Sequence, residues 1–584
     1  MTRFLLAFAA AAALAACPKN ETPQVHTPDL SCNGPAPYGQ WGQDQSHSST
    51  TCNRGQPLTK ILADVVYDPF VAQEEAEARG DLLAHYQSPL VSGDEVVMSA
   101  KWGTYVSCNP PHSGGLNCGP NAWSSQTWGV QKYQWQGATL AKTWNFESDY
   151  KPVPNGAGLQ GWEPVFHAAM TADSVWVPGA GGSVYQLSRA TGAVTKQYKP
   201  LGDPIDPRTF VAGPLTVDAL GRVLYNAVRL DATSPWSKDI LGAWLVRVDP
   251  AANKLEAVTF ASLTAGAPQA LDPCVGTFAT PGPGEPALPP VDTNGQPTRP
   301  ASSACGSQRP GINVAPAVGL DGTIFTAGRA HFNSHYGYVV AVNNDLTPKW
   351  SASLRDRLSD GCGVLLATDG TPGNCASYAR RGVDPQTNEA PAGLVIDSGT
   401  SSPVALPDGA VLFGANTRYN DFRGHLFKFA ADGKFLASYD FGWDITPAWF
   451  PHDGTYSIVT KDNHYTGGPY QITQLDAGLK PEWKFTATNT QSCVRAPDGS
   501  VSCQAFAENA NGFEWCVNAP IVDRDGTVYA NSEDGYLYAI AQGGALKGKI
   551  FLQTALGAAY TPMSIDGAGR VFTQNSGHLF VVGQ

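Results

Sequence analysis

A short pattern of apolar and polar positions recurs along most of the chain. Each copy starts with a small or polar residue and a proline, runs into an apolar strand, and then passes through a tight turn that usually contains glycine. Proline has no N–H to donate, so it is tolerated at the first residue of a strand and not in its middle. Eight copies begin at Pro89, Pro164, Pro214, Pro316, Pro403, Pro447, Pro520 and Pro562.

The residues after each proline predict an antiparallel meander. Asp-Gly turns, such as LDGT at Leu320 and RDGT at Arg524, supply the positive φ that a tight hairpin needs. Alternating segments such as TIFTAG predict a second strand, GYVVAV a third, and the fourth sometimes carries a tryptophan, as at Trp350 and Trp483. Four strands per unit predict an all-β fold, a single eight-bladed β-propeller of four-stranded antiparallel blades, with seven blades as the alternative.

The last repeat unit lacks one strand, because only three can be counted between Pro562 and the final HLFVVG. A propeller leaves no open edge when its final blade takes a strand from the other end of the chain. Residues 61–67, ILADVVY, are the predicted donor, and a short helix is predicted over 70–86. We therefore divide the chain into a signal peptide at 1–17, a disulfide-pinned leader or tether at 18–57, and the propeller at 58–584.

The first seventeen residues indicate export. MTRFLLAFAAAAALAAC carries one early positive charge and then an apolar run that is shorter than the about 20 residues of a membrane span, as in a secretory signal. LAAC at 14–17 resembles the lipobox of bacterial lipoproteins, in which the cysteine, here Cys17, becomes lipidated. An ordinary signal peptide cleaved nearby is the alternative. The predicted location is the bacterial cell envelope, lipid-anchored, facing the periplasm or exposed on the surface.

Composition supports many short strands and excludes one class of partner. Charged residues make up 15% of the chain, whereas 62 glycines and 45 prolines are available for turns. The formal net charge is −12, and non-specific binding to phosphate backbones needs a cationic surface. We therefore expect no nucleic-acid partner, and membrane contact only through the N-terminal lipid anchor.

Eleven cysteines remain after Cys17, and an oxidising compartment favours disulfides between them. Spacing alone suggests pairs between near neighbours, and Cys516 is left over as a possible substitute for either member of the last pair. The absence of CxxC and CxxCH argues against zinc knuckles and covalent c-type haem, and no metal site is predicted. The predicted pairs are Cys32–Cys52, Cys108–Cys118, Cys274–Cys305, Cys362–Cys375 and Cys493–Cys503.

One repeat carries a family resemblance. DGTVYANSEDGYLYAI, at 525–540, resembles the pyrroloquinoline-quinone-type propeller repeat of periplasmic quinoprotein dehydrogenases and of BamB-like outer-membrane assembly lipoproteins. The resemblance spans roughly 88–584 and specifies blades rather than chemistry. It raises pyrroloquinoline quinone and Ca²⁺ as candidate cofactors. Quinoproteins often use an adjacent cysteine pair, and no two cysteines are adjacent here.

The same stretch begins with DRDG at 523–526, which superficially suggests a calcium loop. An EF-hand loop needs a third acidic ligand before its glycine and a glutamate six residues after it, and both are missing. We therefore predict an ordinary hairpin turn.

A four-stranded meander separates its connections onto two faces. Turns after the first and third strands lie on one face and are short here, so we call it the plain face. Turns after the second strand and links between blades lie on the other, which we call the loop face. The loop face holds the long segments 103–125, 263–312, 356–400 and 489–517. Long ordered loops on a rigid scaffold usually carry function.

Polar and aromatic residues cluster in the loops of this face. Arginine suits carboxylates and aromatic rings suit stacking, so the set suits an anionic or polyhydroxylated ligand, with a hydrated rim as the alternative. The candidate ligand-binding residues are Trp236, Arg329, His331, His335, Tyr336, Arg418, Tyr419, Asp421, Arg423, His464 and Tyr465.

Three functions remain open at this stage. The favoured one is a cell-envelope propeller lipoprotein that binds or scaffolds through its loop face, with an envelope protein or a small polar or anionic ligand as the partner. The alternative is a quinoprotein dehydrogenase that acts on alcohols or sugars with quinone and calcium in the funnel. A cofactor-free hydrolase or lyase is the third, although GxSxG is absent from any strand-to-helix context. No catalytic residue can be assigned.

Overall fold

Eight antiparallel sheets are arranged as the blades of a propeller in the computed structural model, which confirms the predicted fold. The first to fourth strands of a blade run from the central channel outward, and consecutive strands are hydrogen-bonded neighbours. The structure describes residues 23–77, 87–106, 123–154, 162, 164–279, 288–361, 382–465, 467–496, 498–554 and 562–584.

The first four blades follow chain order. Blades 3 and 4 each have an inner strand in two pieces. Blade 1 contains β2 (Leu90–Ser92), β3 (Glu95–Trp102), β4 (Thr127–Gln136) and β5 (Thr139–Ser148). Blade 2 contains β6 (Ala169–Met170), β7 (Ser174–Pro178), β8 (Val184–Ser188) and β9 (Val194–Tyr198). Blade 3 contains β10 (Thr209–Val211), β11 (Thr216–Val217), β12 (Val223–Arg229), β13 (Gly242–Asp249) and β14 (Lys254–Thr259). Blade 4 contains β17 (Gln308–Pro310), β18 (Ala317–Val318), β19 (Ile324–Ala330), β20 (Gly337–Val342) and β21 (Pro348–Ser353).

The last four blades are built in the same way. Blade 5 contains β22 (Val404–Ala405), β23 (Val411–Ala415), β24 (His425–Phe429) and β25 (Phe435–Tyr439). Blade 6 contains β26 (Ala448–His452), β27 (Thr455–Asn463), β28 (Tyr470–Leu475) and β29 (Pro481–Thr486). Blade 7 contains β32 (Ile521–Val522), β33 (Val528–Asn531), β34 (Tyr536–Ala541) and β35 (Ala545–Phe551). Blade 8 contains β36 (Ser564–Ile565), β37 (Val571–Asn575), β38 (His578–Gly583) and β1 (Lys60–Val66).

The remaining elements decorate the ring. Two hairpins lie in the long links, β15 (Pro273–Val275) with β16 (Ser302–Ala304) and β30 (Gln491–Arg495) with β31 (Val501–Ala505). Within the described ranges the helices are α1 (Val71–Glu77), α2 (Phe260–Leu263) and 3₁₀ turns at Trp123–Ser125, Ala180–Gly182, Arg418–Asn420 and Ala507–Asn509. None of these helices has the length and apolar character needed to cross a membrane.

The predicted prolines mark the inner strands. Five of them lie one or two residues before the first strand of a blade, and Pro164 lies five residues before β6. Pro214 and Pro316 lie between the two pieces of the inner strands of blades 3 and 4. The second and third strands of blade 4, β19 and β20, are buried along their whole length, because neighbouring blades cover both of their faces. The outer strand β14 has no buried residue. This gradient from buried inner strands to a wetter outer strand is why the inner segments read as continuous apolar runs.

Tryptophans of the fourth strands join neighbouring blades. The indole of Trp350 donates a hydrogen bond to the Ala431 carbonyl in the next blade, and its ring lies against Gly433. Trp144 likewise donates to the Arg189 carbonyl and lies against Gly192. A side chain at either glycine would collide with the ring, and both glycines have positive φ. The glycine of the turn after the third strand is therefore required both by backbone conformation and by blade packing.

Strand β1 closes the ring as predicted. It pairs antiparallel with β38, from Lys60 opposite Gly583 to Val66 opposite His578. The final blade thus takes its outer strand from the other end of the chain, and no sheet edge is left open at the junction.

The leader, by contrast, does more than tether. Residues 38–53 run around the channel at its plain-face end and reach the inner strand of every blade. Tyr38 exchanges backbone hydrogen bonds with Val91 in blade 1, and at the far end the Asn53 amide donates to the Ile565 carbonyl in blade 8. Between them, the leader bonds to Met170, Val217, Val318, Ala405, Trp449 and Val522 of blades 2 to 7. We call residues 38–53 the plug.

The plug is buried as deeply as the blades themselves. Trp41, His47 and Ser49 are completely buried. The Nδ1–H of His47 donates to the Pro403 carbonyl at 2.7 Å, and the Trp41 ring meets His167 edge-on with centroids 5.6 Å apart. The plug therefore covers the plain-face end of the channel. We call the opposite, loop-face end of the channel the funnel.

The turn at DRDG is confirmed as a structural turn. Gly526 has φ +80 between β32 and β33. The buried carboxylate of Asp523 accepts hydrogen bonds from the backbone N–H groups of Asp525 and Thr527, and one from Gly55 of the leader. Its oxygens are used within the turn and the leader contact, as expected for a carboxylate that fixes a hairpin rather than a calcium ion.

Candidate functional site

The first group of sequence candidates lies in blade 4, around a buried carboxylate. Arg309 of β17 holds Asp397 with two hydrogen bonds, of 2.8 and 2.6 Å, and Arg329 approaches the same carboxylate at 3.4 Å. Burial alone would raise the pKa of Asp397, but the two guanidinium groups lower it to about 2. The positive charge of Arg329, a candidate ligand-binding residue, is therefore already compensated by Asp397.

Aromatic rings cover this pair. Trp236 stacks on His331 with centroids 6.1 Å apart, and Arg309 lies 5.5 Å from the Trp236 ring. His331 accepts a hydrogen bond from Arg309 at Nδ1 and donates from Nε2 to the Lys238 carbonyl. Burial and the two arginines lower the pKa of His331 to about 4, so its ring is neutral at pH 7.

The other two blade-4 candidates lie at the edge of the same group. The Tyr336 hydroxyl accepts a hydrogen bond from Val275 N–H, and Arg355 lies over its ring at 4.5 Å. His335 is buried, with Nε2 3.7 Å from the Asp384 carboxylate. Burial lowers the pKa of His335 to about 3 and raises that of Asp384 to about 6. These side chains fix the loop between β19 and β20, and the buried His335 Nε2 receives no hydrogen-bond partner from the described residues.

The second group fills the boundary between blades 5 and 6. His425 lies between two carboxylates, with Nε2 2.6 Å from Asp360 and 3.5 Å from Asp440. Burial would lower the pKa of His425, but the two acids raise it above its ordinary value. The candidate Tyr419 donates to Asp360 at 2.7 Å.

Two further candidates complete this second group. Arg423 donates to the Asp440 carbonyl and lies 3.1 Å from its carboxylate. His464 lies 3.3 Å from Asp462, which also accepts from the Tyr439 hydroxyl. Arg423 and His464 thus contribute to an internal charge network. Of the three candidate arginines only Arg418 is exposed, and it has no hydrogen bond or ion pair among the described residues.

The third group lies at the loop-face ends of blades 6 and 7. Lys461 lies near the end of β27, and Glu514 and Cys516 lie in the link before β32. Glu533 follows β33, and its backbone N–H donates to the Glu514 carbonyl at 3.0 Å. Trp515 and Asn463 exchange hydrogen bonds of 3.1 Å and so fix the link to β27. We call Lys461, Glu514, Cys516 and Glu533, with Asp421, Asp444 and Tyr465, the funnel cluster.

The electrostatics of the funnel cluster are unusual. Burial, with a contribution from the Glu533 carboxyl, raises the pKa of Glu514 to about 8, so this carboxyl keeps its proton at neutral pH. Burial also lowers the pKa of Lys461 and raises that of Cys516. Several neighbouring groups that interact electrostatically and have strongly shifted pKa values are a recognised mark of a functional site.

One carboxylate oxygen in the cluster is unsatisfied. Asp444 is completely buried, and its Oδ1 accepts from the N–H and hydroxyl of Thr400 and from Asn518. Its Oδ2 receives no hydrogen bond from any described residue. A buried polar atom left without a partner costs about 1–3 kcal/mol, so a native structure that keeps one needs a reason for it. A ligand in the funnel would provide that reason.

The sequence pattern indicated only part of this cluster. Asp421 and Tyr465 are among the candidates, but Asp444, Glu514 and Glu533 are not. Asp444 follows a glycine and a tryptophan just before Pro447, and Glu514 lies within the long link that precedes Pro520. The available signal was position, because Asp444 and Glu514 lie shortly before the prolines that precede the inner strands of blades 6 and 7.

Disulfides staple the leader and two of the loops. Cys32–Cys52, Cys274–Cys305 and Cys493–Cys503 are formed as predicted, and Cys516 is the free, buried cysteine. The predicted pairs Cys108–Cys118 and Cys362–Cys375, and the lipidation residue Cys17, lie outside the described residues.

Fold and site together define a plugged eight-bladed propeller with an ionisable funnel on its elaborated face. No protein-family model matches the chain, and no curated protein matches it. Solved structures do match it.

Three solved structures illustrate this likeness. A europium-containing methanol dehydrogenase is 11% identical with a TM-score of 0.46, over 92% of this chain and 89% of that one. BamB from Moraxella catarrhalis is 10% identical with a TM-score of 0.37, over 90% and 99%. A quinohemoprotein alcohol dehydrogenase from Comamonas testosteroni is 10% identical with a TM-score of 0.46, over 94% and 81%. At such identities the likeness concerns the fold, and the blade count rests on the sheet pairing described above.

Proposed function

We propose that the protein is a binding protein of the bacterial cell envelope whose funnel holds a small polyhydroxylated ligand. The observation that carries the proposal is the funnel cluster, a set of ionisable groups, most of them buried and several with shifted pKa values, at the loop-face end of a channel whose other end is covered by the plug. Convergent polar groups with shifted pKa values on a rigid scaffold are the usual mark of a small-molecule site.

The chemistry of the cluster favours hydroxyl groups over anions. Asp444 Oδ2 offers a buried acceptor, and the protonated Glu514 can donate as well as accept. The half-buried ring of Tyr465 offers an apolar surface beside them. Carboxyl groups outnumber the single lysine, Lys461, whereas Arg309, Arg329 and Arg423 are paired with acids. A sugar-like molecule satisfies such a set without adding negative charge.

A binding titration with matched variants tests this proposal. The purified full-length chain would be titrated calorimetrically with neutral oligosaccharides, sugar acids and polyols. We expect a neutral saccharide to bind, Asp444→Asn to weaken it about tenfold or more through loss of a buried charge-assisted hydrogen bond, and Asp432→Asn, in an exposed plain-face turn, to leave it unchanged. Binding that survives Asp444→Asn and Glu514→Gln, or no binding by any of these compounds, would remove the funnel as the site.

The quinone alternative fits these residues poorly. The funnel carboxylates suit Ca²⁺, but pyrroloquinoline quinone is itself a tricarboxylate and needs cationic partners. Arg309 and Arg329 are bound to Asp397, Arg423 is bound to Asp440, and Lys461 lies among carboxyl groups. We therefore do not assign a quinone-dependent dehydrogenase activity. The same titration with the quinone and Ca²⁺, followed by a dye-reduction assay with alcohols and sugars, checks that decision.

A separate observation favours an envelope protein as a second partner. Phe332 and Phe422 are 40% and 56% exposed, in the second-to-third strand loops of the adjacent blades 4 and 5. Phe422 has φ +60, a conformation that a bulky residue adopts only when its surroundings impose it. Rigidly presented aromatic side chains are typical anchors of protein interfaces.

Site-specific photo-crosslinking tests this second partner. A photoreactive amino acid would replace Phe422 or Phe332 in cells, and Leu320, which is 79% exposed on the plain face, would serve as the matched control. We expect the same crosslinked protein from both loop-face positions and none from the control. Equal crosslinking from all three positions would contradict a docking role for the loop face.

We also propose that Cys17 is lipidated and anchors the chain in the cell envelope. The LAAC motif supports this, and the disulfides of the described part suit an oxidising compartment. Mass spectrometry of the mature N-terminus is the direct test. A diacylated Cys17 is expected, and an unmodified N-terminus generated by cleavage elsewhere would contradict the anchor.

A further inference from the structure

Two guanidinium groups at the boundary between blades 4 and 5 have no counter-ion. Arg355 follows β21 at the start of the link to blade 5, and Arg418 lies in the loop between β23 and β24. Neither side chain forms a hydrogen bond or an ion pair with a described residue, whereas Arg309 and Arg423 are paired with acids. Both unpaired arginines lie on the loop face, and neither belongs to the funnel cluster.

Arg355 is fixed in place but is not neutralised. Its guanidinium lies over the Tyr336 ring at 4.5 Å, and the side chain as a whole is half-buried. Its Nη1 is buried and has no hydrogen-bond acceptor among the described residues. A buried donor without an acceptor is destabilising, so a native structure that keeps one needs a reason for it. An anion beside this guanidinium would supply the missing acceptor.

His335, in the loop between β19 and β20, connects the two arginines. Its side chain is buried, and its Nε2 has no hydrogen-bond partner among the described residues. Burial, followed by the charges of Arg418, Arg355 and Arg329, lowers the pKa of His335 to about 3. Burial and the charge of Arg418 also lower the pKa of Arg329. Charges influence one another in this way at short range, so these side chains form one cationic cluster.

The acid that stands beside this cluster, Asp384, compensates only part of its charge. One carboxylate oxygen of Asp384 lies 3.7 Å from His335 Nε2. Burial raises the pKa of Asp384 to about 6, and Arg355 and Arg418 both oppose that rise. The carboxylate is therefore ionised at pH 7 and offsets one of the two unpaired guanidinium groups. A local positive charge remains, in a chain whose formal net charge is −12.

We propose that Arg355, Arg418 and His335 form a binding site for the carboxylate group of a small organic acid, between the loops of blades 4 and 5. The planar fork of a guanidinium group matches the two oxygens of a carboxylate. The small residual charge favours a monoanion over a phosphate group, which is partly dianionic at pH 7. This site shares no residue with the funnel cluster and takes a ligand of the opposite kind, an anion rather than a neutral saccharide.

A fluorescence titration of the full-length chain with anthranilate tests the site. Anthranilate is a fluorescent monocarboxylate without hydroxyl groups, and anthranilamide is its neutral counterpart. At low ionic strength, where screening is weak, the wild type should bind anthranilate and not anthranilamide. Arg355→Gln and Arg418→Gln should each weaken binding about 10–100-fold, because each removes a charged hydrogen-bond donor. Arg524→Gln is the matched control, because Arg524 is also exposed but lies in the plain-face turn between β32 and β33. It should bind like the wild type.

Asp384→Asn provides a gain of affinity that misfolding cannot imitate. Removing this negative charge should tighten anthranilate binding about threefold or more at pH 7, and the asparagine oxygen can still accept the hydrogen bond from Gln386 N–H. Competition identifies the anion class. Acetate should displace the probe more effectively than inorganic phosphate does.

Four results would overturn the proposal. They are no binding of anthranilate by the wild type, unchanged binding by Arg418→Gln, an equal loss in Arg524→Gln, and weaker binding by Asp384→Asn. Stronger competition by phosphate than by acetate would overturn the assignment to a carboxylate. None of these variants alters a residue of the funnel cluster, so the saccharide proposal stands or falls separately.

Discussion

Arg309 and Asp397 form a two-pronged ion pair that joins blade 4 to the link before blade 5. Both side chains are almost completely buried, at 1% and 0% exposure, and Arg329 approaches the same carboxylate. Removing one member of a buried pair leaves the other charge without compensation. The pair therefore holds the loop face together more than it serves any ligand.

Asp397→Asn should destabilise the fold by about 3–5 kcal/mol, because it leaves two buried guanidinium groups without their counter-ion. Chemical denaturation at pH 7 measures the change. Asp321→Asn is the control, since Asp321 makes an exposed pair with Lys349 that should contribute about 1 kcal/mol or less. Equal effects of the two substitutions would contradict the structural role of Asp397.

Glu514→Gln should change how stability depends on pH. The folded-state pKa of Glu514, about 8, lies above the ordinary value of 4.5. The folded state therefore binds this proton more tightly, and the stabilising contribution is complete below about pH 4.5 and lost as pH rises through about 8. Glutamine stays neutral, so the variant should gain stability over the wild type by about 1 kcal/mol per pH unit across that window. The prediction would be contradicted if the unfolding free energies of the wild type and the variant changed equally with pH between pH 5 and pH 9.

The plug should be sensitive to acid through His47. Burial lowers the pKa of His47 from 6.5 to about 4, so the unfolded chain binds the proton first as pH falls. Its contribution to stability is present above pH 6.5 and is lost as pH falls through about 4, by about 1 kcal/mol per pH unit. His47→Asn keeps an N–H for the Pro403 carbonyl and should reduce that slope. His167 titrates in the same window, with a pKa of about 4, so part of the slope should remain.

Trp41→Ala should lower the free energy of unfolding by about 3–5 kcal/mol, because it empties a packed aromatic site. This large effect is expected although Trp41 lies outside every blade. The indole is completely buried at the channel end. Val25→Ala, at a leader residue that is 64% exposed, should change little. Thermal or chemical denaturation of the two variants measures the difference, and similar stabilities would mean that the plug is only loosely held.

The blades could be predicted from sequence because their determinants are local. One repeat contains Pro520, the Asp525-Gly526 turn and the alternating strands that follow. Each of these features restricts the backbone conformation at its own position. The closing strand was also accessible, because a blade that is one strand short needs a partner. The tryptophans of the outer strands were visible, but the glycines that receive them lie in the next blade.

The plug and the charge networks could not be predicted in this way. The plug has no sequence periodicity of its own, because its hydrogen-bond partners are inner strands spread along the chain between Val91 and Ile565. Arg329 looked available because Asp397, its counter-ion, lies 68 residues away in a different link. Glu514 and Asp444 acquire their properties from burial, which no local pattern reports.

The closing strand also sets the order in which the molecule can be completed. β1 precedes every other strand of the ring in the chain, and its partner β38 follows all of them. β1 must therefore wait, unpaired, until all the blades between them have been synthesised. Pairings between such distant segments form slowly and leave strand edges exposed meanwhile. A chaperone that shields residues 23–66 during that interval would protect the one region on which both ring closure and the channel floor depend.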